Sequence, residues 1–166
     1  MNLFMKAVLV TAVLALAACN NPRGGAMDGD GWGGSGIGST GLGDPSDPSS
    51  IAYFNQTIGD RVFFTVDQST LSPEGMATLR QQAVWLNQNP QYAILVEGHA
   101  DERGTREYNV ALGARRANSV EQYLIQQGVS AGRIRTVSYG KERPVEACAA
   151  QRCWDLNRRA VTAVSR

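Results

Sequence analysis

The chain predicts an α+β or α/β sandwich, in which two helices pack on one face of a four-stranded mixed sheet in the order βαβαββ. Three observations predict it. Four short runs with strand composition lie within residues 51–166. Two stretches of helical periodicity separate the first three of those runs. Each helical stretch is bounded by capping or stop residues. The two strand–helix–strand crossings are expected to be parallel and right-handed. The last strand has two places open to it, an antiparallel edge or a central insertion.

Arg61-Val62-Phe63-Phe64-Thr65-Val66 is β-branched and aromatic and reads as the first strand. Ser72-Pro73-Glu74 opens the first helix. Serine is a good N-cap, proline suits the first turn, and glutamate lies near the positive end of the helix dipole. Met76, Leu79, Ala83 and Leu86 then recur at three and four residues and mark a buried face, and Asn89-Pro90 stops the helix. Tyr92-Ala93-Ile94-Leu95-Val96 is an apolar run suited to a central parallel strand. The second helix is expected from Arg106–Tyr108 to Gln127, with Gly128 as its C-terminal stop. Arg133 to Tyr139 reads as the third strand. Arg158 to Val164 reads as the fourth, after a long loop, with alternation too weak to set its buried face.

Composition narrows the function. Sixteen Lys and Arg against 15 Asp and Glu give a net charge of +1, which disfavours a general nucleic-acid binder. Residues 51–166 hold 11 of the acids and 14 of the bases, a mild +3 compatible with an acidic wall polymer. At 43% hydrophobic residues the chain can bury a core, and its single histidine excludes a multi-histidine metal cage.

Met1 to Cys19 reads as an export signal. Lys6 gives a basic start, and residues 7–18 have only Thr11 as a polar residue. That apolar run is too short to span a bilayer, which takes roughly 20 residues. Leu16-Ala17-Ala18-Cys19 resembles the bacterial lipobox. The resemblance implies a signal peptide over residues 1–18 and a lipidated Cys19. With Asn20 rather than Asp in second place, it also implies anchorage in the outer membrane by acyl chains. Residues 20–50 hold ten of the 18 glycines together with Pro22, Pro45 and Pro48. Their only large apolar residues are Met27, Trp32, Ile37 and Leu42, so a flexible linker is expected, with a reach of about 30 Å. No strand precedes these glycines and no Gly-Lys-Ser/Thr closes them, so no phosphate loop and no cofactor is implied. The folded domain is expected over residues 51–166.

The loop after the second strand carries the chemistry. Glu97-Gly98-His99-Ala100-Asp101-Glu102-Arg103-Gly104-Thr105 lies between a strand end and a helix start, where ligands collect. On the following helix Leu112, Val120 and Leu124 are spaced by multiples of four, with Tyr123 beside them. Arg116 falls on that apolar stripe, whereas Arg115 falls on the polar side. A buried cation needs a partner, and Asp101 in the acidic loop is the evident one. Two roles are open from periodicity. Asp101 and Arg116 form a salt bridge tying loop to helix, or they flank a zwitterion pocket in which Asp101 receives an ammonium and Arg116 forks onto a carboxylate.

The same loop, then Glu107-Tyr108-Asn109 and Leu112-Gly113-Ala114-Arg115-Arg116-Ala117-Asn118, resembles the OmpA-like peptidoglycan-binding domain family. Val137-Ser138-Tyr139-Gly140-Lys141-Glu142-Arg143-Pro144 and Asn157-Arg158-Arg159-Ala160-Val161 extend the similarity over about residues 60–164. The resemblance implies a non-enzymatic lipoprotein that grips the peptidoglycan stem peptide at its meso-diaminopimelate. The family's aspartate falls on Asp101 and its arginine on Arg116, fifteen residues later. Backbone near the end of strand one maps to Val66 and Asp67, and further polar groups to Thr105 and Asn109. The resemblance further implies partners of the Tol system of the envelope and cell division, TolB foremost. One departure stands out: Phe64-Thr65-Val66-Asp67 replaces the family's usual Phe-Asp-x-Asp. Thr65 weakens or alters the pocket if that aspartate shapes it, and is tolerated if backbone groups do the binding.

His99, Asp101 and Glu102 do not make a hydrolase. Zinc takes three or four ligands, His99 is the sole imidazole, and no Gly-x-Ser-x-Gly elbow appears. His99 is expected to hydrogen-bond within the loop or line the pocket. Trp85, Trp154, Tyr123 and Phe63 read as core or loop packing. Cys148 and Cys153 remain after Cys19. In an exported protein, their spacing points to a local disulfide, with a redox-active pair as the alternative.

Overall fold

The computed structural model describes residues 41–166. The expected signal peptide, Cys19 and most of the expected linker lie outside the described residues.

A short helix α1 (Ile51–Tyr53), capped by Ser50, widens into a π-helix over Phe54–Gly59. Then follow β1 (Arg61–Phe63), α2 (Pro73–Gln88), β2 (Ala93–His99), α3 (Arg106–Gln126), β3 (Ile134–Gly140), α4 (Gln151–Asn157) and β4 (Arg159–Ser165). The sheet order is β1-β4-β2-β3. β2 pairs parallel with β3, and β4 runs antiparallel to both β1 and β2. The last strand therefore takes the central insertion, which makes the sheet mixed.

The Ser72 cap read from the sequence is in place, its Oγ accepting from Gly75 N; the second helix is capped by Thr105, whose Oγ1 accepts from Tyr108 N, each satisfying an otherwise orphan helix-start donor. On α2 the buried face holds Leu79, Ala83 and Leu86 together with Trp85 and Gln82, while Met76 is half-buried. On α3 it holds Leu112, Arg116, Val120 and Leu124, and Arg115 is exposed. These faces close on Val62, Ile94, Val96, Ile134 and Ala160 of the sheet. β2 and α3 approach so closely at Gly98 and Gly113 that a methyl group on Gly98 would collide with the Gly113 carbonyl. Glycine at both positions brings the backbone of α3, and with it Arg116, onto the strand that ends at the loop.

Several expectations are corrected. β1 ends at Phe63 rather than Val66, because the carbonyls of Thr65 and Gln68 turn to Arg116 and Asp67 adopts a left-handed φ of 55°. The long loop before the last strand contains α4, which has no side-chain cap to announce it. Packed structure begins before Ile51. Trp85 Nε1 donates to Pro48 O at 2.7 Å and Tyr92 Oη to Ser49 O at 2.9 Å, so residues 44–50 wrap the aromatic stack Phe54–Trp85–Tyr92. Phe63 is 46% exposed on the sheet edge rather than packed inside.

Candidate functional site

Three segments converge at one end of the sheet: the turn after β1, the β2–α3 loop, and the segment joining α4 to β4. A bulge at Gly98/His99 disturbs the β2–β3 register just before the loop, and Ala100 N then donates to Gly140 O at 2.8 Å. The loop backbone is fastened from several sides. Asn109 Nδ2 donates to Arg103 O at 2.7 Å, and Lys141 Nζ donates to Glu102 O and Gly104 O at 3.2 and 2.8 Å.

Arg116 is completely buried, as its stripe predicts. Its partner is not Asp101. Nε donates to Gln68 O at 2.9 Å, Nη1 to His99 O at 2.7 Å and Nη2 to Thr65 O at 3.1 Å. The guanidinium thus clasps two loops by their backbones, with Phe64 5.1 Å from its centre. Burial and the nearby Arg158 lower its pKa to about 10, so it remains charged. The expected Asp101–Arg116 salt bridge is replaced by this clasp, because Asp101 is taken by other arginines.

Asp101 Oδ2 accepts from Arg103 Nη2 at 2.7 Å and from Arg158 Nη1 at 3.0 Å, while Oδ1 accepts from Arg103 N at 3.2 Å. Burial pushes this carboxyl up, but the bonds from Arg103 and Arg158 outweigh it and hold the pKa below its ordinary value. Arg158 is itself buried and donates to Phe64 O at 3.2 Å and to Asp155, so it pins Asp101 to the end of β1. Arg103 rests on Trp154, 4.4 Å from the ring centre, and Trp154 Nε1 donates to Glu102 Oε1 at 3.0 Å. The disulfide between Cys148 and Cys153 closes the turn immediately before Trp154.

A cavity of about 260 Å³ opens here, lined by Val66, Asp67, Asp101, Arg103, Gly104 and Tyr108. Tyr108 Oη donates to Asp67 Oδ1 at 3.2 Å. Of the residues expected at a binding site, Val66, Asp67 and Asp101 line this cavity. Thr105, Asn109 and Arg116 instead hold the loops that shape it. His99 is 1% exposed, and its ring points away from those contacts toward Tyr139, 5.5 Å between centroids. Burial, then the charges of Arg159, Arg143 and Arg61, pull its pKa down to about 4. The imidazole is therefore neutral, and its 3.5 Å approach to Glu97 is no ion pair. Neither ring nitrogen finds a hydrogen-bond partner among the described residues, so the expected loop hydrogen bonds come from its carbonyl, not its ring. Tyr108, Trp154 and Arg158 are not legible as site residues, and Arg103 and Gly104 are legible only as members of the polar loop after β2. Arg158 sits at the start of a weakly alternating strand, and Trp154 on a helix without a cap.

The OmpA family model matches residues 63–153, and the chain belongs to that family. A peptidoglycan-associated lipoprotein of Mesorhizobium japonicum is 48% identical over 158 residues, covering 95% of this chain and 90% of the relative. One of Haemophilus influenzae is 41% identical over 164 residues, covering 98% and 99%. The crystal structure of the peptidoglycan-associated lipoprotein from Burkholderia pseudomallei superposes with a TM-score of 0.65 at 38% identity, covering 75% of this chain and 98% of that one. The particular members that this chain groups with are thus the peptidoglycan-associated lipoproteins. None of these three relatives is named for an enzymatic activity. Among the described residues, no helix is long and apolar enough to cross a membrane.

Proposed function

We propose that this lipoprotein tethers the outer membrane to the cell wall by gripping the diaminopimelate of the peptidoglycan stem peptide. Cys19 carries the lipid, the Gly-rich segment spans the gap, and the folded unit binds the wall. The observation that carries the reading is the 260 Å³ cavity, with the carboxylates of Asp67 and Asp101 and the guanidinium of Arg103 on its walls. A diaminopimelate side chain ends in an ammonium and a carboxylate on one carbon. The ammonium of such a zwitterion fits this carboxylate-lined wall, Asp101 taking it through charge-assisted hydrogen bonds. Arg116 serves by fixing the backbones of Thr65, Gln68 and His99. Because Arg116 uses only the carbonyl of Thr65, the threonine in place of the family's aspartate leaves this clasp intact. Many copies on one wall give avidity to individually weak contacts. Tol-system proteins, TolB foremost, are the proposed protein partners.

One observation favours a second reading. A larger groove of about 520 Å³, lined by Phe63, Phe64, Leu71 and Leu156 among others, is mainly apolar and suits a protein partner. On that reading the wall pocket is degenerate and the lipoprotein acts through proteins alone. The charged cavity carries more weight for a wall peptide, because an apolar groove offers nothing to recognise an ammonium. Calorimetric titration of the full-length protein in detergent with a diaminopimelate-containing stem peptide separates the two. Saturable binding that a folded Asp101→Asn variant loses supports the wall grip. Absence of binding, or binding that this variant retains, supports the protein-interaction reading. Cleavage of the peptide would contradict both.

A further inference from the structure

We propose that Arg103 is an internal occupant of the ammonium position at Asp101, a latch that an incoming cation must displace. The inference rests on the wall-peptide reading of the cavity and adds a mechanism of selectivity to it. Asp101 is hidden: only 9% of its side chain is exposed, and two guanidiniums meet on Oδ2. They differ in freedom. The Arg158 side chain is 5% exposed and held by three acceptors, Phe64 O, Asp101 and Asp155, so it cannot leave without unpinning β1. The Arg103 side chain is 42% exposed, and Asp101 is its only hydrogen-bond acceptor among the described residues.

The Arg103 backbone is anchored at both ends, N–H to Asp101 Oδ1 and carbonyl to Asn109 Nδ2. The guanidinium can therefore swing while the loop stays in place. It has somewhere to rest, because the Trp154 ring already lies 4.4 Å beneath it and a cation over an indole face is held by the ring quadrupole. Trp154 is fixed in turn by its bond to Glu102 and by its place directly after the disulfide-closed turn. Only a ligand that brings its own cation replaces the charge lost from Asp101. A neutral ligand leaves the latch closed, so the exchange discriminates a free side-chain ammonium from a blocked one.

The test compares the full-length protein with Arg103→Ala, Arg103→Gln and Asp101→Asn variants, each checked for folding by circular dichroism. Two probes are titrated, a stem peptide with a free diaminopimelate ammonium and the same peptide acetylated there. When the half-exposed Arg103–Asp101 ion pair no longer has to be broken, affinity rises by roughly two- to fivefold. The expected result is that gain in both Arg103 variants for the free peptide and none for the acetylated one. Binding seen only in the Arg103 variants would support the latch more strongly. Unchanged or weaker binding in both Arg103 variants, with Asp101→Asn still losing it, would overturn the latch and leave the pocket standing. Binding by none of the proteins would overturn both.

Discussion

Replacing Arg116 by methionine preserves much of the side-chain volume and removes the clasp. Three hydrogen bonds from a charged donor are lost, each worth about 2 kcal/mol, and three carbonyls in the site loops lose their partner. Against this stands the cost of holding the charge inside. Burial draws the guanidinium pKa down to about 10, a shift that corresponds to about 3 kcal/mol. The difference leaves a loss of about 3 kcal/mol, a large share of the roughly 5–15 kcal/mol that holds a domain of this size together. Lysine does not rescue it, because a point charge on a flexible stem cannot meet three acceptors set around a planar fork. Urea denaturation followed by far-UV circular dichroism measures the change. The midpoint is expected to fall in both variants, by an amount equal to about 3 kcal/mol for methionine. Variants within 1 kcal/mol of the parent would refute the clasp as the element that joins the loops.

His99 makes a pH-dependent prediction. The unfolded chain binds its proton near pH 6.5 and the folded chain near pH 4, so stability is complete above 6.5 and falls as the pH drops through that window. The loss comes to about 2–3 kcal/mol by about pH 4.5. Urea titrations at neutral and acid pH should show this slope in the parent, and His99→Leu should remove that part of it. Replacing Cys148 and Cys153 together by serine removes a cross-link spanning five positions. The expected cost is about 2 kcal/mol, read as a lower thermal midpoint, with increased amide exchange at Trp154 as the local signature. An unchanged exchange rate there would show that α4 is held by its other contacts.

Local signals account for what the sequence disclosed. Ser72 caps a helix with its own side chain, and the apolar stripe of α3 fixes which of two adjacent arginines turns inward. Nothing local names the partners of that arginine, because Thr65, Gln68 and His99 offer backbone carbonyls, which every residue has. The pairing of Asp101 with Arg158 joins positions 57 apart in sequence and depends on β4 entering the middle of the sheet. Residues 44–50 look like linker because they are proline, serine and aspartate. They pack through the carbonyls of Pro48 and Ser49 under Trp85 and Tyr92, which composition does not reveal.

The central claim is that Asp101 receives the ammonium of a wall peptide. A crystal structure of the protein with a diaminopimelate-containing stem peptide tests it directly. The account predicts the side-chain nitrogen within about 3 Å of a carboxylate oxygen of Asp101, in the cavity between Val66, Asp67 and Tyr108. Peptide density in the apolar groove beside Phe63 and Leu156, with the Asp101 cavity empty, would contradict it.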